Sequence, residues 1–130
     1  MSAIRLWAVH PTLRATDIRK LAEWYRDFLG FEIRLLWGDP VTHGVIRRDE
    51  VRLGIAVRDA NFGPVSAYLM LDGVDQLYAE FLARNVTPNR PPEVTDYRMK
   101  DFDLTDPEGN RLCFGEPIET AEPGSTDRGR

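Results

Sequence analysis

The sequence predicts an α+β domain made of two βαβββ units, on three observations. Short β-type runs bounded by Gly, Pro and Asp alternate with two amphipathic helical stretches. The strand-to-helix junction at Ile18 returns at Val74, about 56 positions later. Such recurrence at a fixed offset marks an internal duplication. The length of 130 residues, with 42% hydrophobic and 29% charged residues, fits one ordinary folded domain.

Element by element, Leu6 to Leu13 reads as the first strand, with Pro11 inside it. Proline donates no ladder hydrogen bond, so that strand is an edge, a bulge or a hinge. Thr16 or Asp17 is an N-cap for the following helix, whose Ile18, Leu21, Ala22, Tyr25, Phe28 and Leu29 form one apolar stripe. Gly30 closes it. The stretches "FEIRLLWG", "HGVIRRD" and "VRLGIAVRD" read as three strands, with turns at Gly38-Asp39-Pro40 and near Asp49-Glu50.

In the second unit "SAYLMLDG" is a strand, and a helix runs from Val74 or Asp75 to Asn85 with Leu77, Tyr78, Phe81 and Leu82 as its apolar face. "RPPEV" reads as a loop, "RMKDFDLTD" as a strand, Asp106 to Gly109 as a turn and "NRLCFGE" as the last strand. The division is therefore residues 1–60 for the first unit, 61–116 for the second, and a polar, mobile tail at 117–130.

The net charge of −4 and pI near 5.2 argue against a nucleic-acid partner, which calls for a basic face. No apolar run approaches the roughly 20 residues a membrane span needs. "MSAIRLWAVH" is not patterned as a secretory signal, so the cytoplasm is the expected location. Cys113 is the only cysteine, which excludes an intramolecular disulfide and a Cys-rich zinc site.

Three stretches carry a family resemblance: "LRATDIRKLAEWYRDFLGF", "LDGVDQLYAEF" and "DYRMKDFDLTDPEGNRLCFGE". With them, residues 8–116 resemble the vicinal oxygen chelate superfamily, which includes glyoxalase I, extradiol dioxygenases and bleomycin-resistance proteins. In its enzymes four strand positions supply metal ligands. Carried over, they fall at His10, Gly54, Ser66 and Cys113, of which only His10 is a good ligand. A transition-metal site needs two or three converging protein donors. The expectation is therefore no metal, no cofactor and no catalytic residue.

The bleomycin-resistance branch resembles the chain more closely. There, a first-strand proline where Pro11 stands borders a segment exchanged between subunits. The resemblance implies a homodimer with an exchanged N-terminal strand hinged at Pro11. It also implies sequestration, without catalysis, of a DNA-damaging antibiotic of the bleomycin, enediyne or polycyclic aromatic kind. Such a cleft needs aromatic faces, polar anchors and apolar area. The candidate ligand-binding residues are Trp37, Tyr68 and Tyr97 as stacking faces and Met70 as an adaptable wall. His10, His43, Asp39, Ser66 and Cys113 complete the set as polar or small lining groups. Arg47, Arg48 and Arg52 lie near the acidic Asp39 and Glu50, so the ligand's charge stays open. A metal-dependent lyase or dioxygenase with a degenerate ligand set is the alternative.

Overall fold

A computed structural model describes residues 3–118 of the chain. The first unit contains β1 (Thr12–Ala15), α1 (Ile18–Leu29), β2 (Glu32–Trp37), β3 (His43–Arg48) and β4 (Val51–Val57). The second contains β5 (Ser66–Met70), α2 (Val74–Ala83), β6 (Glu93–Val94), β7 (Met99–Thr105) and β8 (Arg111–Pro117). Each unit forms a four-stranded mixed sheet, ordered β1-β4-β3-β2 and β5-β8-β7-β6. The opening strand pairs in parallel with the last one, and the other pairs are antiparallel. The α+β architecture of two βαβββ units is as the sequence predicts.

Local chemistry explains the helix ends. Asp17 is extended (φ −124°), and its Oδ1 accepts from the Lys20 N–H at 3.0 Å, satisfying a first-turn amide. Gly30 ends α1 at φ 75°, a left-handed conformation that costs a residue without Cβ little. Helix α2 has no side-chain cap of its own. Instead, Glu116 on β8 accepts from the Val74 N–H at 3.0 Å, placing a carboxylate at the positive end of the helix dipole.

One face of each sheet is covered by its helix. Leu13, Ala15, Ile46, Leu53 and Ile55 are buried with α1's Ile18, Leu21, Tyr25 and Leu29. Leu69, Phe102, Leu104, Leu112 and Phe114 are buried with α2's Val74 and Phe81. All belong to one continuous core. Phe28 and Leu82, expected on the apolar helix faces, are instead partly exposed at the stripe edges.

The Asp106-Pro-Glu-Gly-Asn110 turn clasps the two units. Asn110, fully buried, accepts from the Arg14 and Val65 amides (both 3.1 Å) and donates to the Arg14 carbonyl (2.9 Å). Glu108 Oε2 accepts from the Thr16 and Asp17 amides and the Thr16 hydroxyl at 2.8 to 3.1 Å. Buried Tyr25 donates to Asp106 Oδ2 at 2.7 Å.

Two expectations need correction, and a third needs it in part and otherwise lies outside the described residues. The first strand starts at Thr12, not Leu6: residues 3–11 run without strand pairing, because Pro11 can accept (Gly54 N–H to its carbonyl, 2.9 Å) but cannot donate. Within "RPPEV", Glu93-Val94 forms β6, an edge strand too short for any alternation to register. The mobile tail expected at 117–130 is corrected at its start, because Pro117 belongs to β8, and its residues 119–130 lie outside the described residues.

Candidate functional site

With the helices on one side, each sheet turns its other face outward. The strand alternation places His43 and Val45 of β3, Gly54 of β4, and Leu35 and Trp37 of β2 on the open face of the first sheet. On the second it places Ser66, Tyr68 and Met70 of β5, Arg111, Cys113 and Gly115 of β8, and Asp101 and Asp103 of β7. This second face carries a connected network of polar side chains.

Two carboxylates lie at its centre. Asp101 is fully buried and Asp103 nearly so. Spaced two apart on one strand, they project to the same side while Phe102 and Leu104 enter the core. Arg90, from the loop after α2, bridges them: Nη2 to Asp101 Oδ1 at 2.7 Å and Nε to Asp103 Oδ1 at 2.9 Å. Its Nη1 also donates to the Asp101 carbonyl (2.6 Å). Asp103 Oδ2 further accepts from Asn89 Nδ2 (2.7 Å) and Arg111 Nε (3.0 Å). Asp101 Oδ2 accepts from two tyrosines, Tyr68 at 2.9 Å and Tyr97 at 2.7 Å.

Buried charges are tolerable only when paired and hydrogen-bonded, and these are. Burial pushes both carboxyls upward. The donors outweigh it: Arg90 and the two phenols hold Asp101, and Asn89 and Arg111 hold Asp103, below the usual range. The tyrosines respond oppositely. Burial, then the Asp101 hydrogen bond, raises Tyr68, and the Asp101 bond raises Tyr97, so both phenols stay neutral. Cys113 is pushed up to about 11, by burial first and then the Asp101 charge, and remains a thiol at neutral pH.

Gly115 makes this arrangement fit. A Cβ there would collide with the Tyr68 ring and hydroxyl, so the missing side chain lets Tyr68 lie across β8 toward Asp101.

The candidate residues fall into four places. Tyr68, Tyr97, Ser66, Met70 and Cys113 come together on the second sheet. Trp37 and His43 are cross-strand partners on the first, their rings 5.8 Å apart edge to face, with Trp37 60% exposed. Asp39 lies apart, in the β2–β3 turn beside the start of α1. His10 is exposed in the N-terminal segment ahead of β1, just before Pro11. No hydrogen bond or ring contact among the described residues links the two sheet groups.

The four metal-ligand positions implied by the resemblance do not assemble a donor set. His10 lies ahead of β1, Gly54 has no side chain, Ser66 is exposed and Cys113 keeps its proton. The nearby carboxylates are already held by arginines and tyrosines. Among the described residues no three His, Cys, Asp or Glu side chains converge.

Two features escape a reading of the sequence. One is the Arg90 network, whose only visible signal is the i, i+2 pair Asp101 and Asp103 within an apolar strand. The other is a groove of about 710 Å³ between the β3–β4 turn, β5 and α2. Leu29, Phe31, Leu69, Phe81 and Phe114 floor it, and the Arg48–Glu80 ion pair (2.7 Å) lies on its wall. Along it, Val51 to Leu53 of β4 carry no strand on the β1 side among the described residues.

Set beside known proteins, the fold has many counterparts. The bleomycin-binding protein of Streptomyces verticillus, solved with copper(II)-bleomycin, is 26% identical, with a TM-score of 0.71 over 85% of this chain and 96% of that one. The bleomycin resistance determinant encoded on transposon Tn5 is 20% identical, with a TM-score of 0.74 over 86% and 98%. Lactoylglutathione lyase from Agrobacterium tumefaciens is 21% identical, with a TM-score of 0.68 over 84% and 92%. No curated protein matches the sequence. The family model for the glyoxalase/bleomycin resistance protein/dioxygenase superfamily matches residues 7–114, spanning both βαβββ units and the clasp between them. The chain belongs to that superfamily.

Proposed function

We propose that the protein binds a toxic aromatic natural product of the bleomycin, enediyne or polycyclic kind and sequesters it unchanged. The observation that carries this reading is the open face of the second sheet. It presents two neutral tyrosines, a thiol and Met70 around carboxylates that arginines already neutralise. Such a surface offers stacking area and hydrogen bonds but no free nucleophile or unpaired base. The 26% identical bleomycin-binding neighbour is in keeping with it.

The working form in this reading is a homodimer with exchanged N-terminal segments. Ile4, Leu6, Trp7 and Val9 are exposed, Leu6 to 95% and Trp7 to 78%, an unusual run for water to cover. Continued in the β1–β4 register, which pairs Thr12 with Gly54, the segment would bring Val9 opposite Val51. Val9 and Trp7 share strand parity with Leu13 and Ala15, whose side chains enter the core. A partner's segment so placed would turn both toward the apolar groove. Exchange of identical elements is a low-cost route to a twofold dimer.

Stoichiometry tests sequestration. Protection of plasmid DNA from bleomycin cleavage is expected to end at one drug per subunit, with the drug recovered intact. Protection by far less protein than drug would mean turnover and overturn the proposal. A metal-dependent lyase or dioxygenase is the competing reading, favoured by His10 at the first ligand position. It requires an activity that a chelator and His10→Ala both abolish.

A further inference from the structure

We infer that the open face of the second sheet selects its ligand by hydrogen-bond polarity: the Tyr68 and Tyr97 oxygens form a paired acceptor for the N–H groups of a planar ligand. This rests on the small-molecule-binding reading above and names the ligand chemistry that the same face would take.

A phenol has one proton and two lone pairs. Both tyrosine protons point at one atom, Asp101 Oδ2. What each oxygen can offer a newcomer is therefore lone pairs. Asp101 cannot pivot to release them, because Arg90 holds its other oxygen at 2.7 Å and its own carbonyl at 2.6 Å. Asp101 is itself fully buried, so a ligand meets the phenols and not the carboxylate. The rings remain within reach, Tyr68 being 43% and Tyr97 62% exposed. The nearby Thr95 hydroxyl gives its proton to the Met99 carbonyl (3.1 Å).

A carboxylate polarises the phenols hydrogen-bonded to it and strengthens their oxygens as acceptors. Within the face, Arg90 and Arg111 balance the buried Asp101 and Asp103, and the exposed Glu93 stands 3.8 Å from Arg90. An amide or amidinium on an aromatic ring meets complementary lone pairs there, and a ring carboxylate meets lone pairs with lone pairs. The ligand class is a planar aromatic bearing N–H donors.

Fluorine NMR of protein carrying 3-fluorotyrosine tests this with benzamide, benzamidine and benzoate as probes. The chain has four tyrosines, and Tyr68→Phe and Tyr97→Phe assign the two signals. Benzamide and benzamidine are expected to shift the Tyr68 and Tyr97 resonances and leave Tyr25 and Tyr78 unmoved. Benzoate at equal concentration should move neither. Each Phe substitution should weaken donor binding by about 2- to 10-fold, the loss of one hydrogen bond. Asp101→Asn adds a sharper sign: its amide donates to the phenols, their protons turn outward, and the preference reverses toward benzoate. If Asp101→Asn does not fold, the Tyr68→Phe/Tyr97→Phe double variant decides, and it must lose the preference for benzamide over benzoate. Benzoate shifts equal to or larger than those of benzamide, or no shift from any probe, would overturn the inference. A parallel titration with metal-free bleomycin in EDTA separates the two ideas. Binding there without donor preference removes this inference alone, and donor preference without bleomycin binding removes the bleomycin-type ligand alone.

Discussion

Single residues decide whether the open face of the second sheet can recognise anything. Gly115 is the least conspicuous of them. Its missing Cβ gives Tyr68 the space to cross β8, so Gly115→Ala is expected to dislodge the ring and break its bond to Asp101. The stability cost should be about 1.5–3 kcal/mol, because a hydrogen bond to the buried Asp101 carboxylate is at stake. Ligand binding should fall several-fold, measured by titration beside a urea melt of the same sample. A binding loss no larger than that of a distant surface substitution would contradict the role given to Tyr68. At this scale the sequence is only partly legible. Tyr68, Ser66 and Met70 share a face by strand alternation alone, and that much can be read directly. Arg90 cannot be placed from sequence, because a loop of no fixed period carries it back over Asp101 and Asp103. The glycine's reason is likewise tertiary, set by a ring from another strand.

At the scale of elements, the acidic turn and β7 link the fold to pH. Glu108, Asp101 and Asp103 are all pushed up by burial and pulled further down by their donors, below the ordinary carboxylate values of 4.5 and 3.8. A carboxyl whose folded value is depressed adds stability above its unfolded value and loses it as pH falls through the folded one. The urea midpoint is therefore expected to stay level from pH 7 to about pH 5.5 and to drop steadily below about pH 4.5. Glu108→Gln should lower the neutral-pH midpoint and flatten part of that drop. An unchanged acid limb in the variant would mean that the clasp contributes nothing to it. The elements themselves are the most legible level. Asp17, Gly30 and the Asp106–Asn110 turn announce their boundaries through capping and turn chemistry, which act within a few residues. Strand β6 stays hidden because two edge residues after a Pro-Pro pair leave no pattern. The start of β1 is misread because the apolar run from Ile4 to Val9 looks like strand whether its partner lies in the same chain or another.

For the whole molecule, that apolar segment is the feature a single chain explains least well. Deleting residues 2–10 is expected to leave a folded monomer, while the intact chain runs as a dimer, both measured by light scattering on a sizing column. A dimer that survives the deletion would contradict exchange of the segment. The duplication of βαβββ units is legible because it repeats in order and spacing, whereas assembly depends on surfaces that no periodicity encodes. Binding without chemistry is the central claim, and tryptophan fluorescence tests it most directly. Metal-free bleomycin is added in EDTA to the wild-type protein. Saturable quenching at one drug per subunit, with the drug recovered unchanged, is the expected result. A drug recovered chemically altered, or no saturable response in wild type, would contradict it.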